Sequence, residues 1–111
     1  MSKVETVIKK KKSLTLRVPI VFPTMTQPDM LTVLEWYVKD GDIIEAPQDI
    51  DNLPPLLNVD APYYGGSEIT LPVPEFLGVP YRVVRILKPE QSTIQLGDEL
   101  IVLEPLEDNV A

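Results

Sequence analysis

The sequence predicts an all-β domain with quasi-two-fold symmetry. Three observations predict it: an internal repeat, a high proline content and the lack of a helical period in the pattern of apolar residues. The repeat relates residues 31–45 to 81–95 at an offset of 50, and similarity at a fixed offset indicates a duplicated structural unit. The chain has twelve prolines and five glycines. Proline is unfavourable in helix interiors and in central strands, because it lacks a backbone N–H donor, so this content favours short β segments joined by turns.

Within the repeat, apolar positions coincide with apolar positions, and turn positions coincide with turn positions. The coinciding pairs are Val33–Val83, Leu34–Val84, Trp36–Ile86, Tyr37–Leu87, Asp40–Glu90 and Ile44–Ile94, and beyond these bounds Ile50 coincides with Leu100. Each copy is an apolar strand, a polar turn and a short apolar return. Gly41 lies in the first of these turns, where glycine tolerates a positive φ.

Short apolar segments predict eight strands, separated by turns that contain proline, glycine or aspartate. The predicted strands are 14–20, 31–38, 43–44, 56–60, 69–73, 81–87, 94–96 and 100–103. We expect one domain over residues 14–105, preceded by a flexible basic arm at 1–13 and followed by a loose acidic tail at 106–111. The predicted core positions are Val18, Leu34, Trp36, Ile44, Leu57, Ile69, Leu71, Val83, Ile86, Ile94, Leu100 and Val102.

The residue types present restrict the chemistry. The chain has no cysteine and no histidine, which excludes disulfides, thiol nucleophiles, imidazole acid–base catalysis and zinc sites with nitrogen or sulfur ligands. Carboxylates remain, but they lack the spacing of an EF-hand loop. We therefore expect no enzyme, no catalytic residue and no metal site.

Charge is distributed unevenly along the chain. Residues 1–17 contain six basic side chains and one acid, whereas 18–111 contain four basic and sixteen acidic side chains. An acidic body repels nucleic-acid phosphates, so no nucleic-acid partner is expected, and the Lys9–Lys12 run is interpreted as solvated. No apolar run reaches the length of a membrane span and the N-terminus lacks a signal-peptide core, so a cytoplasmic location is expected.

The order of turns and strands resembles the biotinyl/lipoyl domain family over residues 18–104. Pro23-Thr24-Met25-Thr26 is similar to the SPTMTEG-like opening of lipoyl domains. Residues 34–44, LEWYVKDGDII, resemble the family's VKWLVKEGDxV, and residues 86–104 resemble its ILVKEGDTVxVGDxLxxIE. The resemblance implies a flattened β barrel or sandwich of two four-stranded sheets with quasi-two-fold symmetry.

One departure from the family pattern decides the functional expectation. Carriers of this family attach biotin or lipoate to an exposed lysine at the hairpin between the two halves, within DKA or MKM. The corresponding tip here is Ala61–Glu68, and no lysine occurs between Lys39 and Lys88. Neither tyrosine nor serine replaces a lysine amine in that amide linkage. We therefore expect neither cofactor, and no cofactor-binding residue.

Three functional hypotheses remain at this level. The first is a non-catalytic interaction or structural module with an unknown protein partner. The second is an accessory subunit of an acyl-transfer or biotin-dependent carboxylase complex, and the third, disfavoured, is a stand-alone carboxylate enzyme. The candidate contact surface is the hairpin tip, where exposed aromatic side chains are good contact residues; the same tyrosines would be structural if they folded back on the barrel. The tip residues are Pro62, Tyr63, Tyr64, Gly65 and Gly66.

Overall fold

The computed structural model describes residues 13–19, 30–62 and 67–106, which form eight β-strands and no α-helix. The strands are β1 (Leu14–Arg17), β2 (Met30–Trp36), β3 (Ile43–Ile44), β4 (Pro55–Ala61), β5 (Ser67–Pro72), β6 (Tyr81–Ile86), β7 (Thr93–Gln95) and β8 (Glu99–Pro105). Each predicted strand overlaps one of these, with ends that differ by up to three residues. The prediction of an all-β domain is confirmed.

The strands form two antiparallel four-stranded sheets. The first has the order β1-β8-β6-β3 and the second the order β5-β4-β2-β7. Every strand pair in the described residues belongs to one sheet or the other, so the arrangement is a sandwich whose sheets are not closed into a barrel. The two sheets bury one face each against the other, as in other β-sandwiches.

The two sheets repeat the same order of strands. Position by position, β1 corresponds to β5, β8 to β4, β6 to β2 and β3 to β7. A β-bulge interrupts the β2–β4 ladder between Val33 and Glu35, and another interrupts the β6–β8 ladder between Val83 and Arg85. Strand order and bulge position therefore agree with the predicted quasi-two-fold relation.

The turns of the two halves make reciprocal hydrogen bonds across the repeat. The backbone N–H of Gly41 donates to the carbonyl oxygen of Val83 (2.8 Å), and that of Gln91 donates to Val33 (2.7 Å). Carboxylates repeat the exchange, since Asp40 Oδ1 accepts from the Ile86 N–H (3.0 Å) and a Glu90 oxygen accepts from the Trp36 N–H (3.2 Å). Each half thus holds the turn of the other.

The predicted pairing of Ile50 with Leu100 is wrong. The Ile50 side chain is 63% exposed, whereas Leu100 is buried at 2% exposure. The offset of 50 holds from β2 to β6 and from β3 to β7, but it does not hold from β4 to β8. The Tyr37 N–H donates to the Leu56 carbonyl oxygen, and the equivalent Leu87 N–H donates to Leu100, so Leu56 and Leu100 are equivalent and are 44 residues apart. Six additional residues between β3 and β4 account for the change of offset, and Ile50 lies in that longer loop.

The core contains sixteen apolar residues among those described. They are Val18, Leu31, Val33, Ile44, Leu56, Leu57, Val59, Ala61, Leu71, Val73, Leu77, Val83, Ile94, Leu100, Ile101 and Leu103. Burial confirms seven predicted core positions, namely Val18, Ile44, Leu57, Leu71, Val83, Ile94 and Leu100. Trp36, Ile69 and Ile86 are half-buried and pack against this core.

Two predicted core residues, Leu34 and Val102, are not in the core. Leu34 lies in the bulge that follows Val33, and it is half-buried. Val102 lies between the buried residues Ile101 and Leu103 on β8, and alternation along a strand directs it to the outer face.

The turns at the ends of β2 and β6 share a left-handed residue. Gly41 has φ of 92°, and Gln91, fifty residues later, has φ of 76°. A side chain at positive φ is strained by contact with the backbone, and glycine avoids that strain. The second half therefore keeps the turn geometry of the first without its glycine.

Candidate functional site

The β4–β5 hairpin positions the predicted contact site. Its register runs to the pair formed by Ala61 and Ser67, so five residues connect the strands at this end of the second sheet. Ala61 is buried and Pro62 is exposed. Tyr63, Tyr64, Gly65 and Gly66 lie outside the described residues, as do the predictions for the basic arm at 1–12, the Thr24-Met25 motif and the tail at 107–111.

The hairpin is held on its outer face by a side-chain network. Asn58 Nδ2 donates to Glu68 Oε1 (3.0 Å), and the Thr70 hydroxyl donates to Asn58 Oδ1 (3.1 Å). On the inner face, β4 is anchored by Leu57, Val59 and Ala61, all at 0% exposure. Core packing on the inner face and hydrogen bonds on the outer face thus hold the two strands of the hairpin together.

The two body lysines lie at the opposite end of the sheet from the tip. On β2, Thr32 pairs with Asp60 near the tip, whereas Trp36 pairs with Leu57 farther from it. Lys39 follows the end of β2, and the carbonyl oxygen of Lys88 accepts a hydrogen bond from Trp36 Nε1 (2.8 Å). Neither lysine therefore occupies the place where the hairpin would present an attachment residue.

An apolar groove of about 430 Å³ lies between the edge strands β1 and β5. Its lining residues are Leu14, Thr15, Leu16, Arg17, Pro19, Leu56, Leu57, Leu71, Pro72, Pro74, Phe76 and Leu100. Leu16 with Leu71, and Leu56 with Leu100, are related by the quasi-two-fold, so the groove lies near that axis. The sequence did not predict it, because its lining comes from four strands and the loop after β5, which meet only in the folded chain.

The chemistry available in the groove is that of apolar contact. Among the described residues, Arg17 is the one charged side chain that lines the groove. Its guanidinium donates to the Gly97 carbonyl oxygen (3.0 Å) and pairs with Glu99 (2.9 Å). Phe76 at the rim is 65% exposed. Grooves of this size and composition accept apolar groups.

One carboxylate has a perturbed proton affinity. The pKa of Asp49 is lowered, because its carboxylate accepts hydrogen bonds from the Asn52 side chain (2.9 Å) and from the Asp51 backbone N–H (3.0 Å). Asp49 is in the exposed loop between β3 and β4. These bonds close an aspartate turn of the kind that orders a loop, and they give Asp49 a structural role.

The described part of the chain has no group of three or more acidic side chains arranged to hold a metal ion. Nor does it include a helix long and apolar enough to cross a membrane. No protein family, curated protein or solved structure matches the chain in the comparisons made with them.

Proposed function

We propose that this chain is a non-catalytic domain of the biotinyl/lipoyl type, which has lost the carrier lysine and acts as an interaction or structural module. The observation that supports this most directly is the β4–β5 hairpin, whose connecting segment contains no lysine. The repeated strand order of the two sheets adds support, because quasi-two-fold symmetry is the architecture that the sequence resemblance implies. Without an amine at the tip, the hairpin has no group on which a swinging arm could form an amide.

The exposed carboxylates also favour binding over catalysis. A general acid or base needs a pKa close to the working pH, and burial or a close charge usually provides it. Asp49 is shifted in the opposite direction, and its partners are those of a turn. With no histidine or cysteine in the chain, the proposed module works through its surfaces.

The first test is the mass of the intact protein from its native host. It should equal the mass of the unmodified chain, apart from removal of Met1. A variant with Lys39→Arg and Lys88→Arg should show the same absence of an added group. A biotinyl or lipoyl increment in the wild type that the double variant loses would overturn the proposal.

The second test concerns the tip. Changing Tyr63 and Tyr64 to Ser should shift the melting temperature by no more than about 3 °C, as expected for exposed side chains. The same change should weaken a partner at least about tenfold, because buried tyrosines dominate many interfaces. The partner is identified by affinity capture with the full chain and its affinity is measured by calorimetry with purified proteins.

Tyr37→Ser is the matched control for the tip variant. Tyr37 is 44% exposed, and it lies at the far end of β2 from the tip, so its loss should leave partner affinity unchanged. A large fall in melting temperature for the tip variant would show that the rings pack on the domain and are not a contact surface. Capture of acyl-transferase or carboxylase subunits would favour the accessory-subunit alternative.

A further inference from the structure

The outer face of the first sheet has arginines next to exposed apolar side chains. On β6, Arg82 is opposite Ile43 of β3, and Arg85 is opposite Val102 of β8. Their neighbours Tyr81, Val83 and Ile86 face or pack against the core, so the arginines point outward. Ile43 and Val84 are each 46% exposed. We call the surface formed by Ile43, Arg82, Val84 and Arg85 the arginine face.

The outer face of the second sheet has carboxylates in place of arginines. Glu35 is opposite Asn58, and Asp60 is opposite Glu68. Asn58 and Asp60 alternate with the buried residues of β4, and register partners share a face, so all three carboxylates point outward. We call the surface formed by Glu35, Asp60 and Glu68 the carboxylate face.

The quasi-two-fold relation makes the difference between these faces explicit. Arg85 corresponds to Glu35, and Arg82 corresponds to Thr32. On the first sheet, Arg82 pairs with Glu104; on the second, Thr32 is opposite Asp60 and provides no charge. Asp60 is instead directly opposite Glu68, and like charges in that position are destabilising. A partner that supplies cations would therefore relieve the repulsion between the carboxylates of this face.

We propose that the arginine face of one copy of this chain docks on the carboxylate face of a second copy. Both faces are sheet surfaces of the same strand order. Glu104 neutralises Arg82, so Arg85 is the cation that the arginine face offers to the carboxylates of the second copy. The exposed Ile43 and Val84 would be removed from water in the contact. Because the two faces are on opposite sides of the sandwich, the contact is heterologous, and it continues from copy to copy unless it closes into a ring. The two faces include neither the candidate contact residues 62–66 of the hairpin nor the lining of the groove between β1 and β5.

Sedimentation velocity of the full chain tests the proposal, over a range of protein and salt concentrations. The weight-average sedimentation coefficient should rise with protein concentration at low salt and fall as salt screens the charges. Arg85→Glu alone and Glu35→Arg alone should each weaken association at least about tenfold, because each brings like charges together. The double variant, and an equimolar mixture of the two single variants, should recover association.

Lys39→Glu is the matched control, since it makes the same charge change as Arg85→Glu at an exposed turn position outside both faces. It should associate as the wild type does, and circular dichroism should show that every variant keeps the β spectrum of the wild type. A chain that sediments as a monomer at all protein concentrations would overturn the proposal. So would single variants that associate like the wild type, or a double variant and mixture that do not recover.

Discussion

Replacing Leu57 with Ala should lower the free energy of unfolding by about 3–4 kcal/mol, as for other leucines removed from closely packed cores. Leu57 is 0% exposed, and its register partners are Trp36 on β2 and Leu71 on β5. Truncation would leave a cavity between three strands, which a sandwich cannot close without moving its sheets. Urea unfolding at equilibrium measures the change, with fluorescence of Trp36, the single tryptophan in the chain, as the signal.

Ile50→Ala is the control for this experiment. Ile50 is 63% exposed in the loop between β3 and β4, so removing a similar number of methyl groups there should change stability by no more than about 0.5 kcal/mol. A domain of this size has a total stability of about 5–15 kcal/mol, so the two variants are easily distinguished. Equal losses in both would show that Leu57 is not in a packed core.

The quasi-two-fold relation was predictable because the repeat preserves both apolar strands and the turns between them. An offset of 50 residues brings together Gly41 and Gln91, which both have positive φ, although only the first is glycine. A turn that recurs at a constant spacing indicates equivalent backbone geometry even where one residue departs from the preferred type. The first sheet contains β1 and β3 from the first half and β6 and β8 from the second, so each half contributes strands to both sheets, whose apolar faces are buried against each other.

The inward and outward directions of neighbouring apolar residues were harder to predict. Leu31, Val33 and Leu34 are close together on β2, and the first two are buried while Leu34 is half-buried. The bulge between Val33 and Glu35 adds a residue to β2 and so changes which of the following side chains face the core. A run of apolar residues shows no sign of such a bulge, since either phase of alternation is compatible with it.

The candidate surfaces differ in how far the sequence revealed them. The tip was visible, because Gly65-Gly66 between two apolar segments is a strong turn signal. The groove and the two charged faces depend on register, which decides that Asp60 is opposite Glu68 and that Arg85 is opposite Val102. Such pairings join residues that are distant in the sequence, and no local pattern specifies them.

Replacing Trp36 with Ala should lower the free energy of unfolding by about 3 kcal/mol. This value is near the lower end of the range for truncation of large aromatic residues, because the Trp36 side chain is half-buried. The loss combines apolar contact with the hydrogen bond from Trp36 Nε1 to the Lys88 carbonyl oxygen (2.8 Å). Trp36→Phe separates these contributions: it keeps an aromatic ring on the core and removes the donor, so it should cost about 1 kcal/mol. Urea unfolding followed by circular dichroism measures both, since neither variant retains a tryptophan.

The position of that hydrogen bond predicts a local effect in addition to the global one. Trp36 holds the turn after β6, in which the Gln91 N–H donates to the Val33 carbonyl oxygen (2.7 Å). Loosening this turn in Trp36→Phe should speed hydrogen exchange of the Gln91 amide more than that of buried β4 amides, because a local opening exposes it without unfolding the sheets. Leu57→Ala, which weakens the core and keeps the turn anchored, should instead speed exchange most where global unfolding controls it. Equal changes at Gln91 and at Val59 in Trp36→Phe would show that the indole does not anchor the turn.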